Sequence, residues 1–224
     1  MSGRKGLGVK ADDLISRLET NALAEVRTRH PELSDNEMRD TAHAIATGAL
    51  RYFLLKFTRN SVIAFDFKEA LSFEGETGPY CQYAAVRANS IFRKLDEQDG
   101  TTGSGSDQVA SRIMSDAPNL IHDHKQAVAR VLDGEAGGEI WSLLTLAARL
   151  EDANAQAAVS AEPAFLAKYT FNLARAFNLF YHRHRIIAEE DAIKRAVLIV
   201  VADYTRQQLT AALARLGIAV PERM

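Results

Sequence analysis

The chain has 224 residues, 47% of them hydrophobic and 25% charged, a composition that excludes disordered, collagen-like and low-complexity proteins and allows one large domain or two small ones. Its single cysteine, Cys81, cannot form an internal disulfide or build a zinc or iron–sulfur site unaided, which points to a reducing, cytoplasmic compartment. Lys and Arg total 27 against 29 acids, a net charge of −2 without a global nucleic-acid signature, yet nine cations face five acids from Lys168 onward.

Met1 to Lys10 is small, polar and basic and lacks the apolar run of a secretory signal, so no export peptide is expected. Beyond it, Leu14, Ile15, Leu18, Ala22 and Val26 recur at helical spacing until His30 and Pro31. Ser34 and Glu37 form a capping box that opens a second helix, with Met38, Ala42, Ile45, Ala49, Phe53 and Phe57 on one stripe. Asn60 to Phe67 is β-branched and aromatic but short, and reads as irregular. Thr77 and Pro79 start a helix that runs to about Leu95. Asp96 to Gln108 has the Gly, Ser, Thr and Asp content of a flexible, protease-sensitive loop.

Val109–Met114, Leu120–Leu132, Gly138–Glu151 and Ser160–His182 all read as helical, the last striped by Leu166, Tyr169, Leu173, Phe177 and Phe180. A final helix carries Ile193, Val197, Val200, Tyr204 and Leu213, and Gly217 fits a left-handed C-terminal cap. No sheet, repeat or heptad run is found, so the expected fold is all-α, an irregular antiparallel helix bundle. No apolar run approaches the ~18 residues of a membrane span, and no membrane partner is expected.

Several motifs favour plain structural readings. His122 with His124 and His182 with His184 are two residues apart, on nearly opposite sides of a helix, so neither pair chelates a metal well. The glycines at 100, 103 and 105 follow no strand and lack a phosphate-loop lysine. Glu189, Glu190 and Asp191 suit a helix start. Cys81 reads as a small buried residue without an activator.

Two stretches carry more. Met1-Ser2-Gly3-Arg4-Lys5-Gly6 resembles the mobile KMSKS signature loop of class I aminoacyl-tRNA synthetases. The likeness continues through Val9-Lys10-Ala11-Asp12-Asp13-Leu14, Gly48-Ala49-Leu50-Arg51-Tyr52-Phe53, Thr58-Arg59-Asn60, Phe65-Asp66-Phe67, and Ser72-Phe73-Glu74-Gly75-Glu76-Thr77-Gly78-Pro79-Tyr80-Cys81-Gln82-Tyr83-Ala84. It resumes at Phe177-Asn178, Phe180-Tyr181-His182, Thr205-Arg206-Gln207 and the stretch from Leu216 to Met224. Together these resemble arginyl-tRNA synthetase over nearly the whole chain.

The resemblance implies that residues 1–33 are a remnant of the catalytic domain carrying the signature loop, and that 34–224 form the helical anticodon-binding domain, with a DALR-type core at about 79–224. It implies ATP with Mg as cofactors of the complete enzyme, none for the isolated chain, and Met1, Ser2, Arg4 and Lys5 as the ATP-side loop. No His-x-Gly-His motif and no alternating strand–helix pattern occur, so no complete catalytic site is expected in the chain and activity alone is not.

The implied partner is the anticodon stem-loop of arginine tRNA, not DNA. Recognition of a splayed loop needs cations near phosphates and flat side chains under bases. The expected tRNA-binding residues are Tyr83, Arg87, Tyr181, Arg183, Tyr204, Arg206 and Met224. The leading reading is therefore the tRNA-binding C-terminal part of an arginine–tRNA ligase. The others are one half of an enzyme completed in trans by a separate catalytic half, and a non-catalytic helical interaction protein. Under the first, Leu14 and Leu18 should form an exposed apolar strip where the catalytic domain is missing.

Overall fold

The computed structural model describes residues 10–98, 116 and 119–224. Among these, every regular element is a helix: α1 (Ala11–Arg29), α2 (Asp35–Leu55), α3 (Phe67–Ala70), α4 (Gly78–Gln98), α5 (Lys125–Asp133), α6 (Gly137–Ala147), α7 (Leu150–Ser160), α8 (Ala164–Arg183) and α9 (Ala192–Arg215). The all-α expectation holds. From residue 99 onward the expected loop and the Val109–Met114 helix lie outside the described residues.

α1 and α2 form an antiparallel hairpin. The capping box closes α2 as expected: Glu37 N donates to Ser34 Oγ at 3.4 Å, and Ser34 N donates to the Glu37 carboxylate at 2.8 Å. Ala22 and Val26 of α1 pack on Met38, Ala42 and Ile45 of α2, a small apolar cluster of its own. Leu18, one turn earlier on the α1 stripe, is fully buried. The expected exposed strip is thus corrected, because α2 covers the α1 stripe and leaves only Leu14 partly exposed among the two leucines.

The larger core joins α4, α6, α8 and α9 through Ile91, Ile140, Leu143, Leu173, Phe177, Leu198, Leu209 and Leu213. Burying a side chain of this type contributes about 1.5–3 kcal/mol. Buried hydroxyls are satisfied: Tyr52 donates to the Ala167 carbonyl at 2.9 Å and Tyr169 to that of Ala147 at 2.8 Å. Cys81 is fully buried, and burial pushes its thiol above the ordinary range, as befits a packing residue.

Some boundaries differ from expectation. Gly138–Glu151 is not one helix, since the chain turns at Ala148 and Arg149 and a separate α7 follows. α7 is rich in alanine with little amphipathic contrast, so periodicity could not find it. The Leu120–Leu132 helix breaks at His124, whose backbone (φ −115°, ψ 33°) leaves the helical region. Within the stretch read as irregular, Asp66 caps the short α3 by accepting from Glu69 N at 2.9 Å. α4 runs three residues past its expected end.

α2 and α4 cross with backbones in contact. A Cβ on Gly78 would overlap the Gly48 carbonyl, and one on Gly48 would lie 2.6 Å from the Gln82 amide nitrogen. Gly78→Ala should therefore destabilise the chain by about 1–3 kcal/mol. Gly138→Ala, in a helix with nothing within 4 Å of the added methyl, should be neutral or stabilising by up to ~1 kcal/mol. Urea unfolding of the two variants checks the contrast.

Candidate nucleic-acid interface

Four elements build a surface of alternating rings and cations. The turn after α3 is fixed by Thr77, whose hydroxyl donates to the Ser72 carbonyl at 2.6 Å and accepts from Tyr80 N at 3.2 Å, opening α4. Lys56, nearly buried over the Phe53 and Phe57 rings, ties the same turn to α2 through Glu69 at 2.7 Å. Lys168 of α8 reaches Glu76 at 2.9 Å. Phe73 is thereby presented to both Arg29 and Tyr83.

From there the groups stack in sequence. The Arg29 guanidinium lies 4.8 Å from the Phe73 ring centre, and Phe73 meets Tyr83 edge-on at 6.4 Å. Arg87 lies between two tyrosines, 4.6 Å from the Tyr83 ring and 4.9 Å from that of Tyr181. Its amino groups donate to Asn178 Oδ1 at 2.7 Å and to the Tyr83 hydroxyl at 3.1 Å. Three of the five guanidinium N–H groups remain for a ligand. Tyr181 continues edge-on to the exposed His182 at 6.2 Å.

Exposed cations flank this ladder. Lys94 lies on the same stripe of α4 as Tyr83 and Arg87, and Arg175 stands one turn before Asn178 on α8, 5.8 Å from the Phe171 ring. At the Arg29 and Phe73 end lies a cavity of about 560 Å³, lined by Ala22, Val26, Ile45, Phe67, Leu71 and Met224. Its rim carries Asn21, Glu25, Arg29 and His30. An apolar pocket beside stacked rings and cations can hold a flat, partly apolar group joined to an anionic backbone.

Residues 81–224 match the model of the DALR anticodon binding domain. The chain belongs to that family. All 224 residues align with the arginine–tRNA ligase of Pyrococcus furiosus at 30% identity, covering 32% of that protein, and with that of Methanosarcina barkeri at 34% identity, covering 35%. The chain thus spans about a third of the length of these curated relatives. Its fold superposes on a Thermus thermophilus arginyl-tRNA synthetase with a TM-score of 0.74 at 27% identity, over all of this chain and 33% of that one.

Within this DALR-family chain the structure gathers four of the expected tRNA-binding residues on one side: Tyr83, Arg87, Tyr181 and, across the cavity, Met224. The other three lie apart. Arg206 has both its Nε and Nη2 on Asp203 Oδ1, at 3.0 and 2.6 Å, and covers Phe92. Phe92 is nine residues from Tyr83 on α4, hence on the opposite face. Tyr204 packs against the main core, and Arg183 is paired with Glu139 of α6. Met1, Ser2, Arg4 and Lys5 lie outside the described residues.

Sequence reasoning missed Phe73, Asn178 and Arg175. The first two lie inside motifs that carried the family resemblance, which was the available signal. Arg175 had only its place in the basic C-terminal part, and that signal was diluted. Of the nine cations from Lys168 onward, six are held in ion pairs, leaving Arg175, Arg185 and Arg195 without a carboxylate partner among the described residues.

His184 follows the last turn of α8 and lies 3.2 Å from Glu139. Burial, then the charges of Lys194 and Arg183, hold its pKa below the ordinary 6.5, against the pull of Glu189. Unfolding restores the ordinary value, so the unfolded chain binds the proton more readily and stability falls as pH drops below about 6.5. Between pH 7.5 and 5.5, roughly the imidazole range, unfolding free energy should decline, and His184→Gln should flatten that decline. Urea titrations across that range check it.

Proposed function

We propose that this chain is the tRNA-reading C-terminal part of an arginine–tRNA ligase and that the ladder from Arg29 to His182 binds the anticodon stem-loop of arginine tRNA. The observation that carries the reading is Arg87, held between the Tyr83 and Tyr181 rings while using two of its five N–H donors. Splayed loop bases could extend that stack, each contributing about 1–3 kcal/mol, while the exposed Lys94 and Arg175 would supply charge for the phosphates. The cavity lined by Met224 would take an unstacked base. The likeness to arginine–tRNA ligases supplies the substrate class.

Arginylation itself would require ATP with Mg and a catalytic half, in the same polypeptide or in trans, and would take place in the cytoplasm. There Arg4 and Lys5 would contribute positive charge toward the departing pyrophosphate. Among the described residues, no helix is long and apolar enough to cross a membrane.

Titration of the chain with a fluorescent anticodon stem-loop of arginine tRNA, and with the same hairpin carrying a changed anticodon, tests the reading. Binding should discriminate between the two hairpins and weaken with salt. Arg87→Ala should weaken it about ten- to hundredfold. Arg175→Ala and Lys94→Ala should weaken both hairpins alike and each reduce the salt slope by about 0.7. Absence of hairpin binding in the unmodified chain would favour the non-catalytic interaction protein.

A further inference from the structure

Gln82 is fully buried next to Tyr83. Its amide group donates to two carbonyls, that of Ala44 on α2 at 2.9 Å and that of Ala219 on the tail after α9 at 2.7 Å. Its own carbonyl oxygen is buried without a partner. On packing grounds alone this is a poor choice. An apolar side chain of similar shape would fill the space beside Gly48 and leave no orphaned acceptor, because Ala44 O sits within the α2 backbone ladder and the exposed Ala219 can turn its carbonyl to water. The amide therefore serves the link it makes.

That link fixes a path. α9 ends at Arg215, and two residues on the left-handed backbone of Gly217 (φ +68°) turns the chain, with Ile218 N returning to the Leu213 carbonyl at 2.9 Å. Gln82 catches the next residue, and five residues on Met224 reaches the cavity beside Phe73. Among the described residues the tail's other polar tie, Arg223 to Glu32 at 3.7 Å, is exposed and weak, and its remaining anchors are apolar and non-directional: Ile218 and Val220 on the main core and Met224 on the α1–α2 cluster.

We propose that Gln82 is a positioning residue: it pins the C-terminal tail to the α2–α4 crossing so that Met224 lines the cavity in register with the Tyr83–Arg87–Tyr181 stack. Tyr83 and Gln82 then divide one turn of α4 between the outward ring and the inward clasp. The proposal's bearing on RNA rests on the reading of that surface as the tRNA site, but the clasp can be tested without RNA.

In methyl-labelled methionine spectra of the full chain, Met38, buried in the α1–α2 cluster, reports folding, and Met224 reports the tail. Met224 packs on the cluster that holds Met38, so Gln82→Leu should keep the Met38 methyl at a dispersed, folded position with at most a small shift and move that of Met224 to a narrow, random-coil position. If Gln82→Leu loses the Met38 signal, Gln82→Met, equally long and flexible, replaces it. An unmoved Met224 methyl in a folded variant overturns the proposal.

In hairpin titrations, Gln82→Leu and a chain ending at Ala219 should each weaken binding roughly tenfold, and the two changes combined should weaken it no further. Full additivity would overturn the claim that Gln82 acts through the tail. An unmodified chain that binds no hairpin would overturn the tRNA reading and leave the clasp to be decided by the methyl spectra.

Discussion

The backbone contact between α2 and α4 is the constraint on which the rest depends. Where Gly78 meets the Gly48 carbonyl there is no room for a side chain, so the crossing point fixes both the position and the rotation of α4. The residues on that face of the next turns must be small or shaped to fit. Cys81, Ala84 and Ala85 are small and fully buried, and Gln82 is threaded against Gly48. With that face inward, Arg87, nine residues after Gly78, has to point the opposite way, toward α8 and solvent. A shift of one residue in the crossing would turn Arg87 by about 100° and dismantle the stack.

The RNA recognition proposed for this surface depends more on preorganisation than on charge. The chain is slightly acidic, and most cations of its basic C-terminal part are neutralised locally, so long-range attraction for RNA is modest. Arg87 compensates by being held: two rings, Asn178 and the Tyr83 hydroxyl fix its plane before any ligand arrives. Less side-chain entropy is then lost on binding than for a free arginine, and a lysine at the same position would keep the charge but lose the plane. Arg206, fixed just as firmly, is fixed to a nearly buried carboxylate and stabilises the α4–α9 interface.

Local chemistry was legible in the sequence, and partnership was not. The Ser34–Glu37 box, the Thr77 and Asp191 helix starts and the Gly217 cap are decided within a few residues, and each is where the pattern put it. The break at Ala148–Arg149 was invisible because the residues on both sides favour helix and only packing on α8 and α9 separates α6 from α7. Leu18 was misplaced for a related reason: the stripe was read correctly, but its partner is α2, on the next element. Tyr83 and Arg87 lie four apart and share a helix face by spacing alone, but that Tyr181 meets the same guanidinium from the other side is a contact between α4 and α8 that no spacing encodes. Arg206 looked equally eligible, and only its nine-residue offset through Phe92 puts it on the other side.

The cavity lined by Met224 bears on why this surface is built from so many separate segments. Cores are ordinarily packed to crystal density, yet here small residues on α1, Ala22 and Val26, face Phe67, Leu71 and Phe73 across unfilled space. Its floor and rim come from α1, the α3 turn and the chain end, none of which holds the others directly by buried polar contacts among the described residues. What keeps them in register is the α2–α4 crossing: α1 rides on α2, the turn is tied to α2 by Lys56, and the tail is tied to α4 by Gln82. A groove assembled around one rigid junction can stay open without collapsing, which a groove within a single packed element could not do.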